Sequence, residues 1–433
     1  MHSMRGMRDN AALSASPPSS ALSSTTSVSP SAGALPVSTA MTAQERRSSA
    51  SLAMIFALRM LGLFLVLPVF SLEARKYPGG DDPALVGLAM GIYGLTQGLL
   101  QLPFGAASDR YGRKRVMVIG LVIFALGSAI AALAPTMAWL LAGRALQGAG
   151  AISAAVTALL ADQTRDAVRT KAMAIVGASI GLVFSVSLVL SPLLNTLLGL
   201  SGMFALTFVL ALAGIATVLW WVPPEPTRHA DHGVVRLSES VAAVLRHPAL
   251  LRLYVGVFVL HAVQLGMWVA LPTLLVQAGL VKEHHWWVYL PAVLGSFVVM
   301  GATLFPLERR GYLRAVFLSS VGLIGLVQLG LLGVASGHPT VMELGLLLFV
   351  FFCGFNVLEA SQPSMASRIA PGNARGAALG VYNSLQSLGL FTGGALGGWL
   401  VKGAGPQALF GVCAAAMLAW LVVAWPMKAP KGG

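Results

Sequence analysis

From about residue 50 onward the chain reads as long apolar runs separated by short polar breaks. Twelve runs stand out, at about 50–72, 84–108, 114–134, 136–161, 170–198, 202–222, 250–276, 286–306, 313–335, 340–367, 375–401 and 406–427. A helix crossing about 30 Å of hydrocarbon needs roughly 20 apolar residues. Each run meets that length, so the pattern predicts an all-α membrane protein of twelve transmembrane helices.

The polar stretch 223–249 contains Pro223, Pro224, Glu225, Pro226, His229, Asp231 and His232, and divides the runs six and six. A weak internal repeat agrees with the division. Phe305, Glu308, Arg309, Arg310 and Gly311 stand between runs eight and nine as Gly105, Asp109, Arg110 and Gly112 stand between runs two and three. Two related halves are a common construction for transporters. The expected layout is a disordered cytoplasmic tail over 1–47, a six-helix half over 48–222, a linker over 223–249, a second pseudo-symmetric six-helix half over 250–427 and a short tail over 428–433. Residues 11–40 hold only Ala, Leu, Ser, Pro, Thr, Val and Gly, with no block long enough for a signal-peptide core. Met41 is a candidate initiator.

Composition supports the membrane assignment: 56% of the 433 residues are hydrophobic and 10% charged, with a mean hydropathy of +0.79. A net charge of +13 would suit nucleic acid only if it formed a basic face, and here the basic residues sit in short clusters between apolar runs. No nucleic-acid partner is expected. The clusters instead fix the topology. With the N-terminus inside, Arg75, Lys76, Lys282 and Lys402 fall outside and Arg59 and Arg144 within runs, leaving all other Lys and Arg cytoplasmic. Both termini are therefore expected in the cytoplasm. Cys353 and Cys413 lie inside apolar runs, and His229 and His232 lack a neighbouring Cys or carboxylate cluster. Neither a disulfide framework nor a metal site is expected, and no cofactor.

The densest polar break is Gly105, Asp109, Arg110, Gly112, Arg113, Lys114 and Arg115. Basic residues alone would make an ordinary cytoplasmic turn, but an acid at a helix C-terminus opposes the helix dipole. The order G-x-x-x-D-R-x-G-R-K-R resembles the signature loop between helices 2 and 3 of the major facilitator superfamily. Phe56 to Gly62, Gly91 to Gln97, and Gly143, Arg144, Gln147, Gly148 and Gly150 look like its drug-efflux (drug:proton antiporter) branch, as do Phe355 to Ala360 and Gly393 to Trp399. The chain also resembles the YajR type of that branch, whose soluble domain after helix 12 is not expected here. Ser191, Pro192, Leu193 and Leu194 depart from the antiporter pattern of helix 5, which holds a Gly-Pro pair followed by paired glycines. The resemblance implies the major facilitator fold, and a conformational switch made of Gly105, Asp109, Arg110, Gly112, Arg113 and Asp162. In it Asp109 approaches the helix N-terminus near Arg375 and Gly376, and Arg113 reaches Asp162.

An ionisable side chain at mid-bilayer costs several kcal/mol unless it faces protein or a wet cavity, so each is a functional candidate. The fold that the resemblance implies lines its central cavity with helices 1, 4, 7 and 10, which carry Arg59, Arg144, His261 and Glu359. Arg144 with Gln147 and Gly148 reads equally as a helix-packing element, and His261 as a core histidine. Glu359 is the only acid well inside an expected span, with Asn356 one turn before and Pro363 one turn after. It is the expected proton carrier, with His261 as relay and Arg59 as the biasing charge; a structural Glu359–Arg59 pair is the alternative. Tyr93, Gln97 and Gln101, then His261, Gln264 and Trp268, then Asn383 and Gln386 recur at helical spacing. Together with Arg144 and Asn356 they are the expected substrate-cavity residues, although such stripes also arise from interhelical hydrogen bonds.

A cavity walled by apolar and aromatic residues with a few amides suits small amphipathic molecules better than sugars. The leading expectation is a proton-coupled secondary transporter, exporting such molecules or drugs by alternating access. It would sit as a monomer in the lipid of the cell inner (plasma) membrane. Proton-coupled uptake of a small organic anion, with Arg59 and Arg144 as counter-ions, is the alternative within transporters, and a non-transporting receptor or scaffold the alternative outside them. No phosphate-binding G-x-x-x-x-G-K-[ST] loop or His-E-x-x-H motif occurs, so neither ATP use nor an enzyme is expected.

Overall fold

Capping decides where the first helices begin. Thr42 accepts from the Glu45 amide while the Glu45 carboxylate accepts from the Thr42 amide, a reciprocal box that starts α1 (Ala43–Glu73) seven residues before the expected run. Residues 43–47, assigned to the tail, are thus helical. Asp82 accepts from the Ala84 amide, and Pro83 occupies the first turn of α2 (Pro83–Tyr111), where its missing N–H costs nothing. Gly112, at φ +99°, makes the turn into α3 (Arg113–Ala132).

The computed structural model describes residues 40–225, 237–371 and 374–427. The tail as far as residue 39, linker residues 226–236 with His229 and His232, and residues 428–433 lie outside the described residues.

The fourth span, expected to run unbroken, is two helices, α4 (Met137–Ala149) and α5 (Ser153–Asp162). They part at Gly150, where an added Cβ would collide with the Gly120 carbonyl and lie 3.1 Å from Phe124 Cβ. Close approach to α3 thus takes precedence over a continuous helix here. Then follow α6 (Asp166–Ala216), α7 (Leu237–Leu245), α8 (Pro248–Gln277), α9 (Trp286–Arg309), α10 (Leu313–Ala335), α11 (Val341–Ile369) and α12 (Arg375–Ala424). α7 was not expected: it lies in the linker, where Val241 and Val244 pack toward the core.

Among the described residues ten helical segments are long and apolar enough to cross a membrane. α6 and α12, at 51 and 50 residues, would each be about 75 Å long if straight, more than twice the hydrocarbon thickness. Neither is straight. Gly199 (φ 64°, ψ 179°) and Gly405 (φ 78°, ψ 176°) interrupt them in a conformation almost confined to glycine. Leu198, Leu212, Trp220, Leu326, Leu346, Trp399 and Leu418 are exposed on the outside of the bundle, as lipid contact requires and water does not favour.

The helices repeat one packing scheme. α1 packs on α6, α2 on α4, and α3 on both α4 and α6; α8 packs on α12, α9 on α11, and α10 on both α11 and α12. α2 lies along α12 and joins the two sets, with lesser contacts of α1 on α8 and α6 on α9.

Candidate functional site

The closest approach between the sets is built from glycine. Gly87, Gly91, Gly94 and Gly98 fall on one face of α2 and meet the backbone of Ser384, Ser387, Phe391, Gly394 and Gly398 on α12. At one end of this seam Asp82 pairs with Lys402 at 2.7 Å. Beside it Glu73, only 1% exposed, holds Lys76 at 2.6 Å and Lys282, from the second set, at 2.5 Å. The Lys402 hydrogen bond, and then the Ala84 amide, hold the Asp82 carboxyl below the usual carboxylate range. Sequence reading assigned no role to these four inter-set charges, because each lies at the edge of an apolar run.

Deeper along the seam, Gln97 of α2 donates to Ser387 Oγ on α12 at 3.0 Å and accepts from Arg59 Nη2 at 3.0 Å. Arg59, 1% exposed, also donates to Ser153 at 3.2 Å and lies over the Tyr93 and Phe124 rings. Arg144, equally buried, donates to the Ala89 and Met90 carbonyls and to Gln147, and its guanidinium carbon also lies over the Tyr93 ring, 5.3 Å from the centroid. Neither guanidinium has a carboxylate partner among the described residues, so the structural Glu359–Arg59 pair, the alternative to a proton carrier, does not form. Long apolar runs hid this arrangement, since tertiary packing alone brings α1, α2 and α5 to one point.

Glu359 instead meets His261 and Gln386. His261 Nδ1 donates to the Val257 carbonyl one turn back at 2.9 Å, since a carbonyl can only accept. In the neutral imidazole Nε2 is then the acceptor. Gln386 Nε2 is 2.8 Å from that nitrogen and 3.2 Å from Glu359 Oε1, while Glu359 Oε2 stands 3.3 Å from His261 Nε2. The Glu359 side chain is 39% exposed, although Oε2 itself is buried without a hydrogen bond. Pro363, four residues on, has no N–H to give the Glu359 carbonyl. Phe355 packs edge-on to His261, and the rings of Phe351, Phe352, Phe184 and Phe64 extend the aromatic surface from α11 to α6 and α1.

Of the other cavity candidates, Asn383 is partly exposed, whereas Tyr93, Gln101, Gln264 and Trp268 are buried, as is Asn356, which donates to Ser296 at 2.8 Å. Trp268 stacks edge-on with Tyr289.

At the other end of the seam, Arg113 gathers the switch loop. It reaches Asp109 at 2.6 Å, Asp162 at 3.3 Å and Ser108 at 2.7 Å; Ser108 donates to the Gly105 carbonyl. Asp109 is 62% exposed, and Arg110 lies over Tyr111. Glu225 accepts from the Arg113 and Lys114 amides at 3.1 and 2.6 Å, an anion at the positive end of α3. The Pro-rich linker gave no sign of that role.

The Major Facilitator Superfamily profile matches residues 52–310 and 306–432. The chain is 42% identical over 392 residues to the inner membrane transport protein YajR of Escherichia coli (strain K12), covering 90% of this chain and 85% of that one. It is 27% identical over 368 residues to the multidrug resistance protein MdtH of Aeromonas hydrophila, covering 80% and 84%. Among solved structures the human organic anion transporter MFSD10 (TETRAN) superposes with a TM-score of 0.63 at 19% identity, over 88% of this chain and all of that one. At that identity the likeness speaks for the fold alone.

Proposed function

The chain belongs to the Major Facilitator Superfamily, and we propose that it is a proton-coupled secondary transporter that exports small amphipathic molecules by alternating access. The observation that carries the proposal is the contact of Glu359 with His261 and Gln386, a titratable pair deep in the bundle beside an aromatic surface. Its acid is the proton carrier and its histidine the relay. Ionised, Glu359 favours a state in which water reaches it; protonated, it tolerates occlusion. The likeness to MdtH supports export.

α6 and α12 each cross twice, turning at Gly199 and Gly405, so the helices make twelve crossings in two six-helix halves, separated by the linker 223–249. The distribution of Lys and Arg puts both termini in the cytoplasm, and the Asp82–Lys402 end of the seam outside. On the inside Arg113, Asp109 and Asp162 form the switch that controls opening. Proton flux in proteoliposomes, screened against cationic, neutral and anionic amphiphiles, tests the function. Export-linked flux with any class is the expected result; a tight membrane with no substrate-dependent flux across the panel refutes it. Proton-coupled uptake of an organic anion is the second reading, favoured by the absence, among the described residues, of a carboxylate on Arg59 and Arg144. Flux with anions alone, directed inward, would select it.

A further inference from the structure

The contacts of Gln386 cannot all survive a change in the proton count of the site. His261 Nδ1 is committed to the Val257 carbonyl, so without an added proton Nε2 and both Glu359 oxygens are acceptors. In that state the two amide hydrogens of Gln386 serve Nε2 and Oε1 and hold α8, α11 and α12 together, while Oε2 remains a buried acceptor without a donor. A proton entering between Nε2 and Oε2 converts their 3.3 Å contact into a hydrogen bond. It also uses the single in-plane lone pair of Nε2, which can then no longer accept from Gln386.

The next residue, Ser387, faces α2 rather than α8, because neighbours on a helix point about 100° apart. Its hydroxyl receives Gln97, and Gln97 receives Arg59. One turn of α12 therefore carries a contact with the acid–imidazole pair and a contact with the other half.

We infer that Gln386 is the positioning residue that reads the proton on Glu359–His261 and passes its arrival, through Ser387 and Gln97, to the seam between α2 and α12. This rests on Glu359 as the proton carrier. Proton-free, the Gln386 bridge keeps α12 where Ser387 meets Gln97 and the Asp82–Lys402 end stays shut. On protonation from the outside His261 releases the amide, α12 shifts, and that end is held open while substrate leaves; the proton passes to the cytoplasmic side after the end has shut again. The other titratable or charged groups on the surrounding helices have separate commitments. Tyr254 of α8 donates to the Ala378 carbonyl, and Arg59 and Arg144 face Tyr93. Glu308 of α9 pairs with Arg368 of α11, and Arg314 of α10 holds the Trp425 and Met427 carbonyls. Tyr382, one turn before Gln386, is buried within electrostatic reach of Glu359, and no hydrogen bond ties it to the pair.

The test uses the full chain with Cys353 and Cys413 replaced by alanine and Val86→Cys as reporter, since Val86 is buried at the Asp82–Lys402 end. A membrane-impermeant maleimide is the probe, and labelling rates are compared between about pH 8 and about pH 5, the range in which histidine changes charge. The thiolate fraction of any cysteine falls about tenfold per pH unit below its pKa, so each rate is divided by that of an exposed-loop cysteine at the same pH; the expected result is a several-fold higher ratio at the acid end in the parent chain. Glu359→Gln should flatten the profile, and so should Gln386→Leu, while leaving a maleimide control at an exposed loop unchanged. Gln386→Glu, which keeps size and polarity, should move the profile by about one pH unit or more to the alkaline side, because two carboxylates then share a proton. A flat parent profile, or Gln386→Leu and Gln386→Glu profiles matching the parent, overturns the inference. A Glu359→Gln profile matching the parent overturns the proton-carrier reading beneath it.

Discussion

Replacing Gly394 with alanine should open the Asp82–Lys402 end of the seam. A Cβ there would lie 2.5 Å from the Gly87 carbonyl oxygen and 2.8 and 2.9 Å from the Gly91 nitrogen and Cα, against 3.4 Å or more for an ordinary contact. All three obstacles are backbone, so no side-chain rotation relieves them. α2 and α12 must separate by about 1 Å, and overpacking of this kind costs about 1–3 kcal/mol. The clash exists only when the seam is shut, so the cost falls on the closed state and shifts closed against open by a factor of about 5 to 150. Maleimide labelling of Val86→Cys, buried beside the seam, should accelerate within that range. Val269→Ala at the same end, which removes bulk from a buried position, provides the opposite control. An unchanged labelling rate in Gly394→Ala protein of parental melting temperature would mean that this seam is not the barrier that opens.

Other consequences are as direct. Glu359→Gln protein in proteoliposomes should lose pH-driven transport while still exchanging substrate at equal pH; retained proton-driven uphill transport would return Glu359 to a structural role. Arg113→Ala removes bonds to Asp109, Asp162 and Ser108 at once and should lower thermal stability by about 1–2 kcal/mol, read as a drop in melting temperature, with Arg113→Lys recovering only part. Asp82 adds a pH argument. Its carboxyl is held by Lys402 below the ordinary aspartate value of about 3.9, so the pair is fully present above that value and is lost only as pH falls through the lower folded value. Between pH 5 and pH 8 it should therefore contribute no pH dependence, and Asp82→Asn should alter the level of Val86→Cys labelling but not the shape of its profile.

The long apolar runs were legible as spans because span length is a local property, set by rise per residue against bilayer thickness. Gly112 and the charges around it likewise announced their turn, and Gly311 its counterpart, both at positive φ. What pattern could not supply was the start of α1, where a capping box overrode the end of the apolar run, or the break at Gly150, where the neighbouring α3 backbone decided.

Glu359 and His261 stood out in the sequence as rare ionisable residues within apolar runs, with Arg59 as the biasing charge or, in the alternative, as the structural partner of Glu359. The chain alone determined which residues must be compensated, since burial of charge is costly wherever it occurs. Only the tertiary structure decided what compensates them, because rotation and depth of each helix select the facing side chain. Arg59 turns to Gln97 and Ser153, Glu359 to His261 and Gln386, and the glycines of α2 and α12 allow the two helices to come close enough for Gln97 to join those clusters.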